Sequence, residues 1–306
     1  MSGKPKVAVL LAAYNGIQWI EEQVDSILGQ AAVDLTIYIS VDPSIDGTEQ
    51  WCAACAIKHS EVVILPIAEV FGGAARNFFR LIRDVSFDDY DYIAFSDQDD
   101  IWNTEKLEHS IRMLQLHDVN AYSSNVTAFW ASGKVQLLDK AQPQVEWDYL
   151  FEAAGPGCTY LISRKVADPL KASILRDWEK LQSVSLHDWY IYAFARSQGC
   201  RWFIDQNSTL RYRQHERNQV GANVGIRPLI SRYRTISNGW WFSQVSLIGS
   251  LVGMESHPFF LKWRSLGRME LLSLSMNAWK CRRRVRDKIL FFCVCWITAL
   301  GVGASM

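Results

Sequence analysis

The sequence has no excess of charge of either sign: 32 lysines and arginines stand against 32 aspartates and glutamates. Nucleic-acid binding usually leaves a basic surplus, so no nucleic-acid partner is expected. There is no internal repeat and no low-complexity tract, which excludes solenoids and long disordered linkers. No GxGxxG follows any candidate strand, which removes the dinucleotide fold of dehydrogenases. Nor does the first strand end in the glycine- and arginine-rich triphosphate loop of sugar nucleotidyltransferases; Ala13-Tyr14-Asn15 stands there instead. The seven cysteines are odd in number and scattered, which is no disulfide framework. Cys52 and Cys55 have CxxC spacing without a second cysteine pair, and are expected to be half-buried helix residues rather than zinc or redox ligands. No signal peptide opens the chain: Lys4-Pro5-Lys6 leads straight into an apolar run. With reduced thiols, this points to the cytoplasm.

What is present is a globular composition, 49% apolar and 21% charged over 306 residues. Val7 to Ala12 is an unbroken apolar run, as in a strand buried on both faces. Apolar residues at helical spacing follow at Ile20, Val24, Ile27 and Leu28. Strands are predicted at 35–41, 62–66 and 92–96, and helices at 48–59, 75–83 and 104–117. This alternation predicts an α/β fold with a mostly parallel sheet flanked by helices. Ligands bind such sheets beyond the carboxyl ends of the strands, where Ala13-Tyr14-Asn15, Asp42 to Asp46 and Asp97 to Asp100 all fall. From 121 to 213 the pattern is less regular, with a helix expected from His187 and two strands at 201–204 and 210–213.

Asp97, Asp99 and Asp100 crowd three carboxylates into four residues after an apolar strand. Such a group repels itself unless a cation neutralises it, and oxygen ligands suit Mg²⁺ or Mn²⁺. A metal of this kind usually completes its shell with substrate phosphates. An EF-hand is excluded, because Trp102 occupies the position its loop requires to be glycine. Helix capping is an alternative for Asp100 alone.

These segments together resemble family 2 glycosyltransferases of the GT-A fold, particularly the bacterial rhamnosyltransferase-like branch. The resemblance spans roughly residues 6–222 and rests on an ordered set of motifs. They are Leu11-Ala12-Ala13-Tyr14-Asn15-Gly16, Val41 to Thr48, Arg76-Asn77-Phe78, and Ser96 to Trp102. His187-Asp188-Trp189 and Tyr212-Arg213-Gln214-His215 follow, with Asn218 and Gly221 after them. The resemblance implies that Ala13, Tyr14 and Asn15 lie against the nucleotide and that Asp42 hydrogen-bonds a pyrimidine imide. It implies a DxD-type element at Asp97, Gln98 and Asp99, with Asp99 the first choice for the metal. Asp188 matches the catalytic base, and Arg213 with His215 a segment closing over the diphosphate, His215 also being a candidate metal ligand. Arg76 is either a diphosphate contact or a solvated helix end. Two departures stand out: the paired acids usual after the second strand are reduced to Val41-Asp42, and His187 replaces the usual acid before the base.

The implied chemistry is an inverting transfer in which a carboxylate takes the proton of an acceptor hydroxyl. The expected donor is a nucleotide-sugar, best dTDP-rhamnose, with a UDP-hexose next; a non-catalytic glycan-binding homologue is the other class. The acceptor expected is a glycan or glycolipid such as O-antigen. A catalytic unit is predicted over residues 1–224, with a nucleotide-sugar half to about 120 and an acceptor half beyond it. Residues 225–306 form a helical, basic and apolar region. In it, six of the nine residues 280–288 are basic, and 289–306 carry no charge. Those features predict a membrane-surface partner, at the cytoplasmic side of the bacterial inner membrane, or a helix packed on the catalytic unit.

Overall fold

A computed structural model describes residues 3–66, 70–215 and 239–301. Strand β1 (Lys6–Ala13) is apolar after its exposed first residue because it divides its side chains between two cores. Val7, Val9, Leu11 and Ala13 enter one core, while Ala8, Leu10 and Ala12 enter the other. A strand with water on neither face has no position for a polar residue. Strand β2 (Asp34–Val41) pairs with β1 in parallel, Ala13 opposite Val41, and β3 (Val62–Ile64) lies outside β2. Strand β4 (Tyr92–Ser96) flanks β1 on its other side, Leu11 opposite Ser96. The three segments after β1, β2 and β4 therefore leave the sheet at one edge.

Helices α1 (Ile20–Leu28), α2 (Thr48–Lys58) and α4 (Lys106–Leu116) cover the first core. The α2 cysteines are buried, with Cys52 pushed up to about 12 by that burial, so neither offers a thiolate. Helices α3 (Ala74–Asp84), α6 (Arg164–Arg176) and α8 (His187–Ser197) cover the second. Between them lie the one-turn helices α5 (Asp148–Phe151) and α7 (Trp178–Leu181).

The irregular stretch is a second part of the same sheet. Its strands are β5 (Ile101–Trp102), β6 (Ala121–Trp130), β7 (Val135–Leu138), β8 (Leu161–Ser163) and β9 (Trp202–Gln214). The order is β3-β2-β1-β4-β8-β6-β9-β5, with β7 paired to β6. The two strands expected at 201–204 and 210–213 are one strand, β9, whose register against β6 slips between Ser124 and Asn125. A bulge hides a strand from period-two reading, because each extra residue exchanges the two faces.

The C-terminal helices are α9 (Trp240–Leu251), α10 (Pro258–Leu261), α11 (Arg268–Ser275), α12 (Ala278–Cys281) and α13 (Val285–Ala299). Phe242, Trp263, Leu271 and Phe291 from them join the core of α3, α6 and α8. Trp147 stacks on Phe259 at 4.5 Å, and Phe151 meets Phe291 edge-on at 5.1 Å. The expected boundary near residue 224 lies outside the described residues, as do Asn218 and Gly221. Among the described residues no helix is long and apolar enough to cross a membrane.

Candidate active site

The shared carboxyl edge opens into a cavity of about 1330 Å³. Ala13, Tyr14, Asn15, Asp42, Asp97, Gln98, Asp99, Asp188 and His215 all line it. Arg76 and Arg213 do not. Arg76 is exposed and donates from Nε to the carbonyl of Gln182 at 2.8 Å. Arg213 works behind the wall: its Nε donates to the carbonyl of Asp99 at 2.9 Å, and its guanidinium pairs with Glu22.

The end of the cavity nearest β1 and β2 is built from three loops tied to one another. The side chain of Gln98 brackets Tyr14, accepting from its N–H and donating to its carbonyl, both at 2.8 Å. This fixes the backbone and leaves the Tyr14 ring 57% exposed toward a ligand. Gly16 is required there, since a Cβ would sit 2.1 Å from Gln98 Oε1. Asn15 accepts from Ile45 N at 2.9 Å and donates its own N–H to Ser44 Oγ at 3.0 Å, locking the first loop to the second. Asp42 accepts from Phe71 N and Gly72 N, at 3.1 and 2.9 Å, and so holds the approach to α3. Asn77, named in the Arg76-Asn77-Phe78 motif but expected as a packing or cap residue, lines the cavity, donates to the Ser40 carbonyl at 3.0 Å, and leaves its buried Oδ1 without a partner among the described residues.

The three acids after β4 face different ways. Asp99 meets His215, with Oδ2 and Nε2 2.7 Å apart, and the His215 ring stacks on Trp19 at 3.9 Å. Asp100 caps no helix, since α4 begins at Lys106; it points inward and is fully buried. Its Oδ1 accepts from Arg213 N at 3.2 Å, its Oδ2 has no nitrogen or oxygen donor among the described residues, and the Cys158 thiol lies beside it. Burial, then its neighbours Asp99 and Asp97, hold Asp100 well above the usual carboxylate range. The same causes push Asp97 up to about 7, with Asp99 and Asp188 as the repelling charges. Below them Lys106, fully buried with no hydrogen bond to Nζ, lies 3.8 Å from the centre of the Trp102 ring. Burial drives it down to about 8, so little of its charge is spent before the acids titrate.

Acids that burial and mutual repulsion raise this far are short of positive charge, which is the condition a divalent cation relieves. Asp97, Asp100 and Cys158 form the tightest cluster, with ligand atoms within 4.8 Å. Cys158 is a soft ligand whose thiol burial drives well above its ordinary value. Hard Mg²⁺ or Mn²⁺ prefers oxygen ligands, and Asp97 and Asp99 both line the cavity, although they and His215 do not close into a ligand cluster of that tightness. Cys158 and Lys106 carried no sequence signal, because each depends on contact across the sheet.

Asp188 stands in the first turn of α8, half-buried, with Oδ1 accepting from Trp189 N at 2.7 Å. Burial pushes it up to about 6, against the opposing pull of backbone N–H groups and Lys140. Its neighbour His187 is buried and stacked on Phe78 at 3.9 Å, and burial drives it down to about 3, so it is neutral where the family's acid would be charged. Gly157 makes room for both: a Cβ there would lie 2.5 Å from His187 Nε2 and 3.2 Å from Asp188 Cβ. Gly157→Ala is therefore expected to displace the first turn of α8 and lower kcat about 10- to 100-fold, with little change in donor affinity. Steady-state kinetics beside a nucleotide titration check this; an unchanged kcat would remove Gly157 from the positioning of Asp188.

Residues 8–160 match the family model described as Glycosyl transferase family 2. The dTDP-rhamnosyl transferase RfbG of Shigella flexneri is 44% identical over 280 residues, covering 91% of this chain and 96% of that protein. Among solved structures, S. aureus TarS (residues 1–349) aligns with a TM-score of 0.55 at 12% identity, over 97% of this chain and 92% of that one. The mannosyltransferase PcManGT from Pyrobaculum calidifontis, solved with GDP-Man and Mn²⁺, aligns with a TM-score of 0.51 at 14% identity, over 98% and 86%. At such identities these two likenesses speak for the fold alone.

Proposed function

The chain belongs to glycosyl transferase family 2, and from that premise we propose that it transfers L-rhamnose from dTDP-rhamnose to a surface glycan or its lipid-linked precursor, such as O-antigen, inverting the anomeric centre. That it is a nucleotide-sugar glycosyltransferase follows from the family. The choice of sugar is carried by the 44% identity to the Shigella dTDP-rhamnosyl transferase, sustained over nearly the whole of both chains.

The roles assigned to residues are as follows. Tyr14 presents its exposed ring to the base and ribose, with Ala13 and Asn15 beside it. Asp42, already bound to two backbone N–H groups, keeps lone pairs free for the imide N–H of a pyrimidine. Asp97 and Asp99 with His215 hold Mg²⁺ or Mn²⁺, which would neutralise the diphosphate as it leaves. Arg213 positions Asp99 and its strand. Arg76 stays a candidate diphosphate contact only if its bond to Gln182 opens on donor binding. Asp188 accepts the proton of the acceptor hydroxyl, and a carboxylate pushed up to about 6 is a stronger base than an ordinary one while still ionised at neutral pH.

The proposed partner surface is the cytoplasmic face of the bacterial inner membrane, contacted through the C-terminal helices. A panel of dTDP-rhamnose, UDP-glucose and UDP-GlcNAc tests the donor: dTDP-rhamnose is expected to turn over fastest, by about 100-fold or more. No turnover of dTDP-rhamnose beside turnover of a UDP-hexose would replace the donor and keep the enzyme class. Co-sedimentation with phosphatidylglycerol vesicles tests the location, and its absence would remove the membrane.

A further inference from the structure

The cavity continues past Asp188 to a second end of opposite character. Lys140, Arg282, Arg283, Arg284 and Arg286 line it there, the only lysines and arginines among its described lining residues, with Asp139, Glu152 and Asp287 set between them, so that end keeps a net positive charge. The four arginines come from the segment that runs from α12 into α13. The first end is lined instead by Asp42, Asp46, Asp97 and Asp99. Asp188 lies between the two, close enough for Asp97 to feel its repulsion and for itself to feel Lys140.

Carboxylates interleave the arginines without using up their donors. Glu152 lies 3.5 Å from Arg282 and 3.8 Å from Arg283, and Asp148 lies 3.3 Å from Arg283. Arg283 is only 7% exposed, and its Nε, like that of Arg282, has no hydrogen-bond partner among the described residues. Arg284 pairs with Asp139 and donates to Gln142, and Arg286 pairs with Asp287, yet their side chains stay 33% and 62% exposed and the five N–H donors of each guanidinium exceed these bonds. Planar guanidinium groups gathered in this way bind phosphate oxygens two at a time and need no metal. The apolar surface beside them is equally marked. Val285, Ile289, Trp296 and Leu300 are 64, 52, 40 and 63% exposed. Their spacing along α13 puts them on one face, which begins beside Arg284 and Arg286.

We infer that the basic end of the cavity binds the diphosphate group of a lipid-linked acceptor, with the acceptor sugar turned toward Asp188 and the hydrocarbon chain leaving along the apolar face of α13. The inference rests on the glycosyltransferase reading and adds to it where the acceptor is held. The polarity of the cavity explains how two diphosphates share it. The donor's can approach the acid end only with a divalent cation, and the acceptor's is repelled from that end and drawn to the arginines.

The test uses the full chain, with farnesyl diphosphate as a short prenyl diphosphate, in EDTA so that the acid end binds no anion. Farnesyl diphosphate is expected to bind, and the double variant Arg284→Ala, Arg286→Ala to weaken it about tenfold or more. Binding of dTDP with Mn²⁺ should be unchanged in that variant. If the double variant does not fold, Arg286→Glu at its exposed position should give the same loss. Binding in EDTA that is absent, or indifferent to both variants, overturns the inference. Inorganic pyrophosphate binding as tightly as farnesyl diphosphate overturns its lipid half. Variant-sensitive binding to phosphatidylglycerol vesicles without farnesyl diphosphate binding also overturns it, because the arginines would then be a headgroup contact. Failure of the rhamnosyl reading shows in the other arm, as no binding of dTDP with Mn²⁺ by the unaltered chain.

Discussion

Asp188→Asn will lower kcat about 10³-fold and leave the affinity for dTDP and Mn²⁺ within about twofold, because the amide keeps the volume and the bond from Trp189 N but cannot take a proton. His187 beside it is no replacement, being buried, neutral and stacked on Phe78. The pH dependence of the unaltered enzyme carries the same signature. A base acts in its deprotonated form, so a group raised to about 6 leaves kcat flat above that pH and makes it fall tenfold per unit below it. The Asn variant should lose this limb. A variant that keeps transfer activity, or keeps the acid limb at about 6, would mean that another group takes the proton.

Asp99→Asn should abolish detectable Mn²⁺ binding and cost about 10²- to 10³-fold in kcat. The amide can still meet His215 Nε2, but it offers the cation no charge. Asp100→Asn is the contrasting variant. Asp100 is fully buried and held well above the usual carboxylate range by burial and by Asp99 and Asp97, so a neutral isostere is expected to replace it with little loss. Electron paramagnetic resonance of free and bound Mn²⁺ reads both variants without reference to turnover. Retained Mn²⁺ binding in Asp99→Asn, with loss in Asp100→Asn, would move the metal inward to the cluster of Asp97, Asp100 and Cys158.

The parallel half of the sheet was legible because its elements are local. β1 announces itself by having no polar residue over seven positions, and the carboxyl-edge rule then puts Ala13, Asp42 and Asp97 together without further information. The antiparallel half was not legible in the same way. β6 and β9 are long, partly polar and out of step with period two at their bulge, and their pairing joins residues about 80 apart. The C-terminal segment was half legible: its basic run and apolar tail could be read, but their destination could not.

The sequence by itself carried the family resemblance and with it the enzyme class, and it put three loops at one sheet edge, because those depend on which residues stand at the end of which strand. Only the tertiary structure decided how the three acids divide their work. β5 pairs with β9, Ile101 opposite Arg211, and that contact carries Arg213 to Asp99 and His215 to the cavity wall while Asp100 turns in toward Lys106 and Cys158. It also decided where the missing charge went. Net charge is zero over the chain, yet folding places Asp42, Asp46, Asp97 and Asp99 at one end of a cavity and four arginines of the C-terminal segment, outnumbering the acids between them, at the other. Composition sums charges without regard to place, and a binding site depends on their separation.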